Sequence, residues 1–262
     1  MMNKTNTTLN DALNKGYDLD FGIVFEKAFE NYKKIALIGG ITIILIVILL
    51  FALFGTLIGS LVGLNTLTET LTENSILNFG IEYILIFFGS MVLLSAILSP
   101  IGAGFLKMAH LADHNQDFSI GTVFEYYKTK YFKELFFSTF LITIVNVGLS
   151  TVLDYFEIPL IGSLISYSIS FFTFLTVPLI IFSDLSAIDA ISTSAKLVTK
   201  QPIVIIGLAV VSFFLIMFGL IAFCIGVFFT LPFWYSLTYS IYNQAVPINK
   251  TSEIEEIGSF LE

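Results

Sequence analysis

The residues with the most obvious capacity for chemistry lie in one short run, His110-Leu111-Ala112-Asp113-His114. On a helix, two histidines four positions apart share a face and can bind one metal ion. Asp113 or Asp117 would add an oxygen ligand. His110 and His114 are the only histidines in the chain. No glutamate follows the first as in an HExxH motif, and a mononuclear site needs a further ligand from elsewhere. The competing reading is a solvated connection, which so small a set of ligands favours.

A second constellation is polar but not ionisable. Asn146 lies within an apolar run, with Ser138, Thr139, Thr143 and Ser150 nearby. Positions 139, 143, 146 and 150 recur at helical spacing, as do 163, 166, 170 and 173 in the next run. Side chains of this kind hydrogen-bond helices to one another. They can instead line a polar cavity, for which Thr143, Asn146, Ser166 and Ser170 are the candidates. Glu82 would join them as an ionisable group at membrane depth, or snorkel to the interface. No apolar run carries a charge near its centre, which weighs against ion-coupled transport. GxSxG, Walker A and strand-borne GxGxxG patterns are absent, and no cofactor is expected.

These residues need elements to hold them, and composition says what kind. Of 262 residues, 56% are hydrophobic and 12% charged, about half the charge of a soluble domain. That excludes an ordinary soluble protein, a disordered chain and a disulfide scaffold. The net charge is -8 and all 12 basic residues are lysine. No basic stripe offers itself to nucleic acid. The single cysteine, Cys224, sits in an apolar run and reads as a small buried hydrophobe. The first 34 residues are largely polar, unlike a signal peptide, so the first apolar run is expected to remain as a span.

A helix needs about 20 apolar residues to cross a bilayer. Spans are expected over 35–63, 76–100, 135–153, 159–182, 203–220 and 225–244. The last two divide a forty-residue uncharged stretch, 203–242, at glycines near 219–226. Pro232 then kinks the sixth span; five spans with a re-entrant last segment is the alternative. The lysines test the count. Lys4, Lys15, Lys27, Lys33, Lys34, Lys107, Lys128, Lys130, Lys133, Lys196, Lys200 and Lys250 all fall on one side of six spans. Glu69, Glu73, Asp154 and Glu157 fall on the other. The positive-inside rule places both termini in the cytoplasm of a bacterial inner membrane.

Three amphipathic segments, 20–34, 119–133 and 186–200, each precede a pair of spans. Their N-cap candidates are Asp20, Ser119 and Ser186, the last with Asp189 three positions on as a capping box. Phe21, Phe25 and Tyr32 mark the apolar stripe of the first, Phe124, Tyr127 and Tyr131 the second, Ile188 and Ile191 the third. Segments 22–34 and 121–133 align without a gap, sharing Gly22/Gly121, Val24/Val123, Phe25/Phe124, Glu26/Glu125, Tyr32/Tyr131 and Lys34/Lys133. The third matches more loosely. Such elbows anchor a bundle in the headgroup plane, or bind lipid or a partner. Gly55, Gly59 and Gly63 form a small-residue packing stripe in the first span.

Taken together, the elbow Asp20-Phe21-Gly22-Ile23-Val24-Phe25, the run Ser99-Pro100-Ile101-Gly102-Ala103-Gly104, the middle elbow, Ala187 to Ser194 and Pro232 to Tyr242 carry a resemblance. Over roughly residues 20–243 the chain resembles six-span bacterial integral membrane proteins of uncharacterised function. These include the membrane region fused to some glycerophosphodiester phosphodiesterases. Some Bacteroidetes proteins of this look are labelled carotene monooxygenases, which implies several histidine ligands; the histidines here are His110 and His114.

The expected fold is an all-α integral membrane bundle. Six transmembrane helices form three hairpins, each preceded by a cytoplasmic amphipathic interfacial helix. A polar tail (1–19) precedes the membrane domain (20–248), and an acidic tail (249–262) follows it. The expected function is non-enzymatic: organising lipid or a membrane-protein partner. A carrier for a small or lipidic solute is the alternative, and a metalloenzyme using the histidine pair is the third reading.

Overall fold

A backbone in an apolar medium must hydrogen-bond to itself, which leaves helices as the natural answer for so hydrophobic a chain. The computed structural model describes residues 4–62, 81–221 and 225–248, and every regular element among them is a helix. They are α1 (Lys4–Lys15), α2 (Phe21–Val62), α3 (Ile81–Asp113), α4 (Ile120–Phe124), a 3-10 turn (Glu125–Lys128) and α5 (Phe132–Tyr155). There follow α6 (Pro159–Thr173), α7 (Thr176–Ser183), α8 (Ala187–Val198), α9 (Pro202–Ile221), α10 (Gly226–Thr230) and α11 (Pro232–Ala245). Five stretches of the described residues are long and apolar enough to cross a membrane: Phe21–Leu53, Phe88–Asp113, Phe132–Leu153, Pro159–Ser183 and Pro202–Ile221. Phe51 is 79% and Ile221 77% exposed, surfaces that an apolar medium suits and water does not. The chain fits an integral, multi-pass membrane protein. The linker with Gly63, Glu69 and Glu73, Cys224 and the tail 249–262 lie outside the described residues, as do the surroundings of Gly55, Gly59 and Glu82.

Several boundaries differ from those read in the sequence. The first elbow and first span are one continuous helix of 42 residues. At about 1.5 Å per residue that is about 63 Å, roughly twice the thickness of a hydrocarbon core. Nothing in 20–34 breaks a helix, so the amphipathic part simply extends the span. The second span does not stop at Pro100. Helix α3 runs through it to Asp113, because Ala103, Leu106, Ala109 and Ala112 continue an apolar face that is buried. Proline removes one backbone donor; Tyr127 Oη donates to the neighbouring Ile97 carbonyl at 2.8 Å. The fourth expected span is two helices, α6 and α7, broken near Phe174. Pro178 denies that turn its amide, and buried Ser194 of α8 bridges the break. Its hydroxyl accepts from Leu175 N at 3.2 Å and donates to the Phe172 carbonyl at 2.8 Å.

The polar tail is also folded. Helix α1 buries Leu9 and Ala12 and ends at Gly16, whose φ is +81°. Tyr17 fastens it: its phenol donates to the Leu197 carbonyl at 2.8 Å, and its own carbonyl accepts from Gln201 at 3.0 Å. Burial holds that phenol above its ordinary range, so it stays a neutral donor.

The core sits at the end of the bundle that carries the lysines. Lys34 Nζ donates to the Ala112 carbonyl at 2.7 Å and to Asn115 Oδ1 at 2.8 Å. It thereby caps the C-terminus of α3, where a cation also complements the helix dipole. Glu134 accepts from Ala187 N at 2.7 Å, the matching device at the start of α8. Lys107 pairs with Glu125 and Lys130 with Asp184, at 2.6 and 2.8 Å.

Two glycines separate close packing from free surface. A Cβ on Gly104 would overlap the backbone of Val123, whereas one on Gly148 would meet nothing within 4 Å. Gly104→Ala is expected to cost about 2 kcal/mol or more. Gly148→Ala should be neutral or stabilising by up to about 1 kcal/mol. Thermal unfolding of the two variants in detergent checks this; equal effects would contradict the packing.

Candidate functional site

The histidine run lies on the last turns of α3, not on a solvated connection. His110 is 7% exposed. Its Nδ1 lies 3.2 Å from Tyr239 Oη, and its ring sits 5.3 Å from the Phe182 ring. His114 Nδ1 lies 2.9 Å from the His110 carbonyl, one helical turn back. The two rings are 4.4 Å apart and tilted. Asp113 Oδ2 accepts from Tyr239 Oη at 3.1 Å and more weakly from Asn243 Nδ2 at 3.5 Å. Asp117 is exposed beyond the helix end. Among the described residues, no three His, Cys, Asp or Glu side chains converge as metal ligands would. The run is instead tied to α11 through the phenol of Tyr239. Sequence reading missed Tyr239 and Asn243. Their spacing of four, in Tyr239-Ser240-Ile241-Tyr242-Asn243, was the available signal.

The second constellation is brought together as a seam between α3, α5 and α6. Thr139 donates to Ser99 at 2.7 Å, and Ser95 to Thr143 at 3.2 Å. Asn146 Nδ2 donates to Ser170 at 3.3 Å, and the Ser150 and Ser166 hydroxyls lie 2.6 Å apart. Thr173 turns back to its own Ile169 carbonyl, and Ser163 is exposed, so those two expected members stand apart. A cleft of about 300 Å³ opens beside the seam, lined by Phe88, Thr143, Asn146, Ser150 and Ser166 among others. Among the described residues, Asn146 Oδ1 is buried without a partner. Four cross-helix pairs make the seam chiefly an adhesive, each worth about 0.6 kcal/mol in a membrane protein.

The three elbows begin as expected and then diverge. Asp20 Oδ1 accepts from Ile23 N at 2.8 Å. Ser119 N donates to Thr122 Oγ1 at 3.1 Å. Ser186 Oγ accepts from Asp189 N at 3.3 Å and donates to the Asp189 carboxylate at 2.7 Å, so the aspartate reaches the hydroxyl of its partner. Val24 and Val123, aligned in sequence, are both buried.

The stripes split between core and surface. Phe25 and Tyr32 pack on Phe233 of α11, with ring centroids 5.8 and 5.5 Å apart. Tyr127 is spent on the Ile97 carbonyl of α3, and Tyr131 is half-buried against Tyr126. Burial raises the phenols of Tyr126, Tyr127 and Tyr131, so all three stay protonated at neutral pH. Phe21, Phe124 and Ile188 point outward, Ile188 being 70% exposed; Ile191 is half-buried. On α8 the buried face is Ala187, Ala190, Ser194, Leu197 and Val198, so the expected Ile188 side is the outer one.

Comparison with known protein families, with curated proteins and with solved structures finds no match.

Removing the phenol in Tyr239→Phe takes a donor from Asp113 and should cost about 1–3 kcal/mol. Detergent unfolding measures it; an unchanged midpoint would sever α3 from α11. Elemental analysis of the purified chain decides the metal reading independently. Stoichiometric metal lost in His110→Ala would support that reading.

Proposed function

We propose that this chain is a six-span protein of the bacterial inner membrane that organises lipid or a protein partner and catalyses no reaction. The observation that carries this reading is the outward set Phe21, Phe124 and Ile188. They stand on three capped segments at the lysine-bearing end of the bundle. Exposed apolar side chains beside lysines suit the boundary between acyl chains and anionic headgroups. The positive-inside rule favours that end as cytoplasmic, with both termini there.

For the sixth span, α10 and α11 together cover 226–245, about 30 Å at helical rise, with a break at Pro232. Helix α10 packs back on α9: a Cβ on Gly219 would crowd Thr230, Gly226 and Val227. Pro100, Pro178 and Pro232 fall one in each returning span, which agrees with three related hairpins.

The cleft beside Asn146 favours the carrier as a second reading, since Asn146 Oδ1 lacks a partner among the described residues. One pair of variants separates the two. Phe124 is exposed, so Phe124→Glu should fold normally. The organiser reading expects native mass spectrometry of the Phe124→Glu protein to show loss of a co-purifying lipid or partner. A carrier expects that Asn146→Leu abolishes solute flux in vesicles while folding is kept. Flux in the wild type that disappears in Asn146→Leu would replace the organiser by the carrier.

A further inference from the structure

Three of the six buried side-chain polar atoms that lack a partner among the described residues line one cavity. They are Asn31 Nδ2, Ser240 Oγ and Gln244 Oε1. Asn31 is 2% and Ser240 6% exposed. Buried polar groups are satisfied in the great majority of cases, so three orphans around one space call for an occupant. The cavity, about 220 Å³, lies between α2, the end of α3 and α11. Lys27 and Asp113 also line it. Lys27 is loosely paired to Glu30 at 3.8 Å. Asp113 is steadied through Oδ2 by Tyr239 and Asn243, which leaves its other oxygen to face a ligand.

We propose that this cavity binds a zwitterion carrying an ammonium and an oxyanion, of which the phosphoethanolamine group is the form a membrane supplies. One cation and one anion in the same wall balance. An anionic ligand would meet Asp113 and a purely cationic one Lys27, whereas a zwitterion answers both. The phosphate is placed against Lys27, Asn31 Nδ2 and Ser240 Oγ, all donors. The ammonium is placed against Asp113 and Gln244 Oε1, both acceptors. Ile23 lines the same cavity and is 55% exposed, which gives an attached acyl chain an apolar exit. The lipid as source rests on the lipid-organising reading above; the chemistry of the cavity does not.

The test uses the full chain in mild detergent with equal phosphatidylethanolamine and phosphatidylglycerol, read by native mass spectrometry. A parallel arm measures thermal stabilisation by free O-phosphoethanolamine. The wild type should retain one phosphatidylethanolamine per chain with about tenfold preference. Lys27→Gln, at an exposed rim, and Asp113→Asn, which still accepts from Tyr239, should each abolish that preference. Stabilisation by the free compound without lipid preference, lost in both variants, would support the same chemistry with a soluble source. No preference and no stabilisation, or a preference unchanged in both variants, would overturn the proposal and leave the cavity to water. Total lipid retained by wild type and Phe124→Glu is counted in the same spectra. The organiser reading therefore fails or survives separately.

Discussion

A polar helix buried in an apolar bundle depends on its neighbours for hydrogen bonds, and α11 is that helix here, with Ser240 and Gln244 left to the cavity. Phe233, Ser236, Leu237, Tyr239, Ile241, Tyr242 and Ala245 are all buried. Ser236 donates to the Ala28 carbonyl of α2 at 2.7 Å. Tyr239 reaches Asp113 of α3, and Tyr242 lies 2.7 Å from Ser183 of α7. Asn243 Oδ1 accepts from Ile248 N at 3.1 Å and closes the helix end. Each unmet group would cost about 1–3 kcal/mol. The positions of α2, α3 and α7 are therefore fixed together by one element.

The rest of the architecture follows from that arrangement. Close approach of α2 to α11 is possible because Gly39 presents no side chain, and its approach to α10 because Gly40 presents none. A Cβ on Gly39 would stand 2.9 Å from Pro232, and one on Gly40 would overlap Phe229. Phe233 then receives the rings of Phe25, Phe29 and Tyr32. Phe25 and Tyr32 of the first elbow are therefore packing residues, while Phe21 stays outward. The opposite ends of α5, α6 and α9 keep large exposed apolar side chains such as Leu160 and Ile221. A tight polar-rich core at the lysine end and looser apolar helices beyond it make one molecule with two regimes. The cavity beside Asp113 lies in the first, and the surfaces that suit a bilayer lie in the second.

Long apolar runs and caps were legible because each is a local signal. Asp20 and Ser186 cap their helices through their side chains as their types demand, and at Ser119 the backbone N–H donates to Thr122. The seam residues were legible as well, since Thr139, Thr143, Asn146 and Ser150 recur at helical spacing and do meet partners across α3 and α6. What escaped was non-local. Pro100 reads as a stop, yet α3 runs through it, and Tyr127 serves the Ile97 carbonyl from 30 positions away in sequence. His110 reads as part of a solvated connection, yet it is buried and Tyr239 lies against it from 129 positions away. The tail reads as polar overall, yet Leu9, Ala12 and Leu13 form a buried stripe before Gly16. In each case the deciding partner sits on another element, which periodicity along one element does not reveal.

The central claim is that α11 docks on the N-terminal half of α2. The direct test places cysteines by Ala28→Cys and Ser236→Cys in a Cys224→Ser background. The Ser236 hydroxyl donates to the Ala28 carbonyl at 2.7 Å, so the two positions are neighbours across the helix pair. Mild oxidation of the membrane-embedded protein should consume both thiols within one chain and raise the unfolding temperature. Two thiols that remain free to alkylation in a folded protein would contradict the docking and the account built on it.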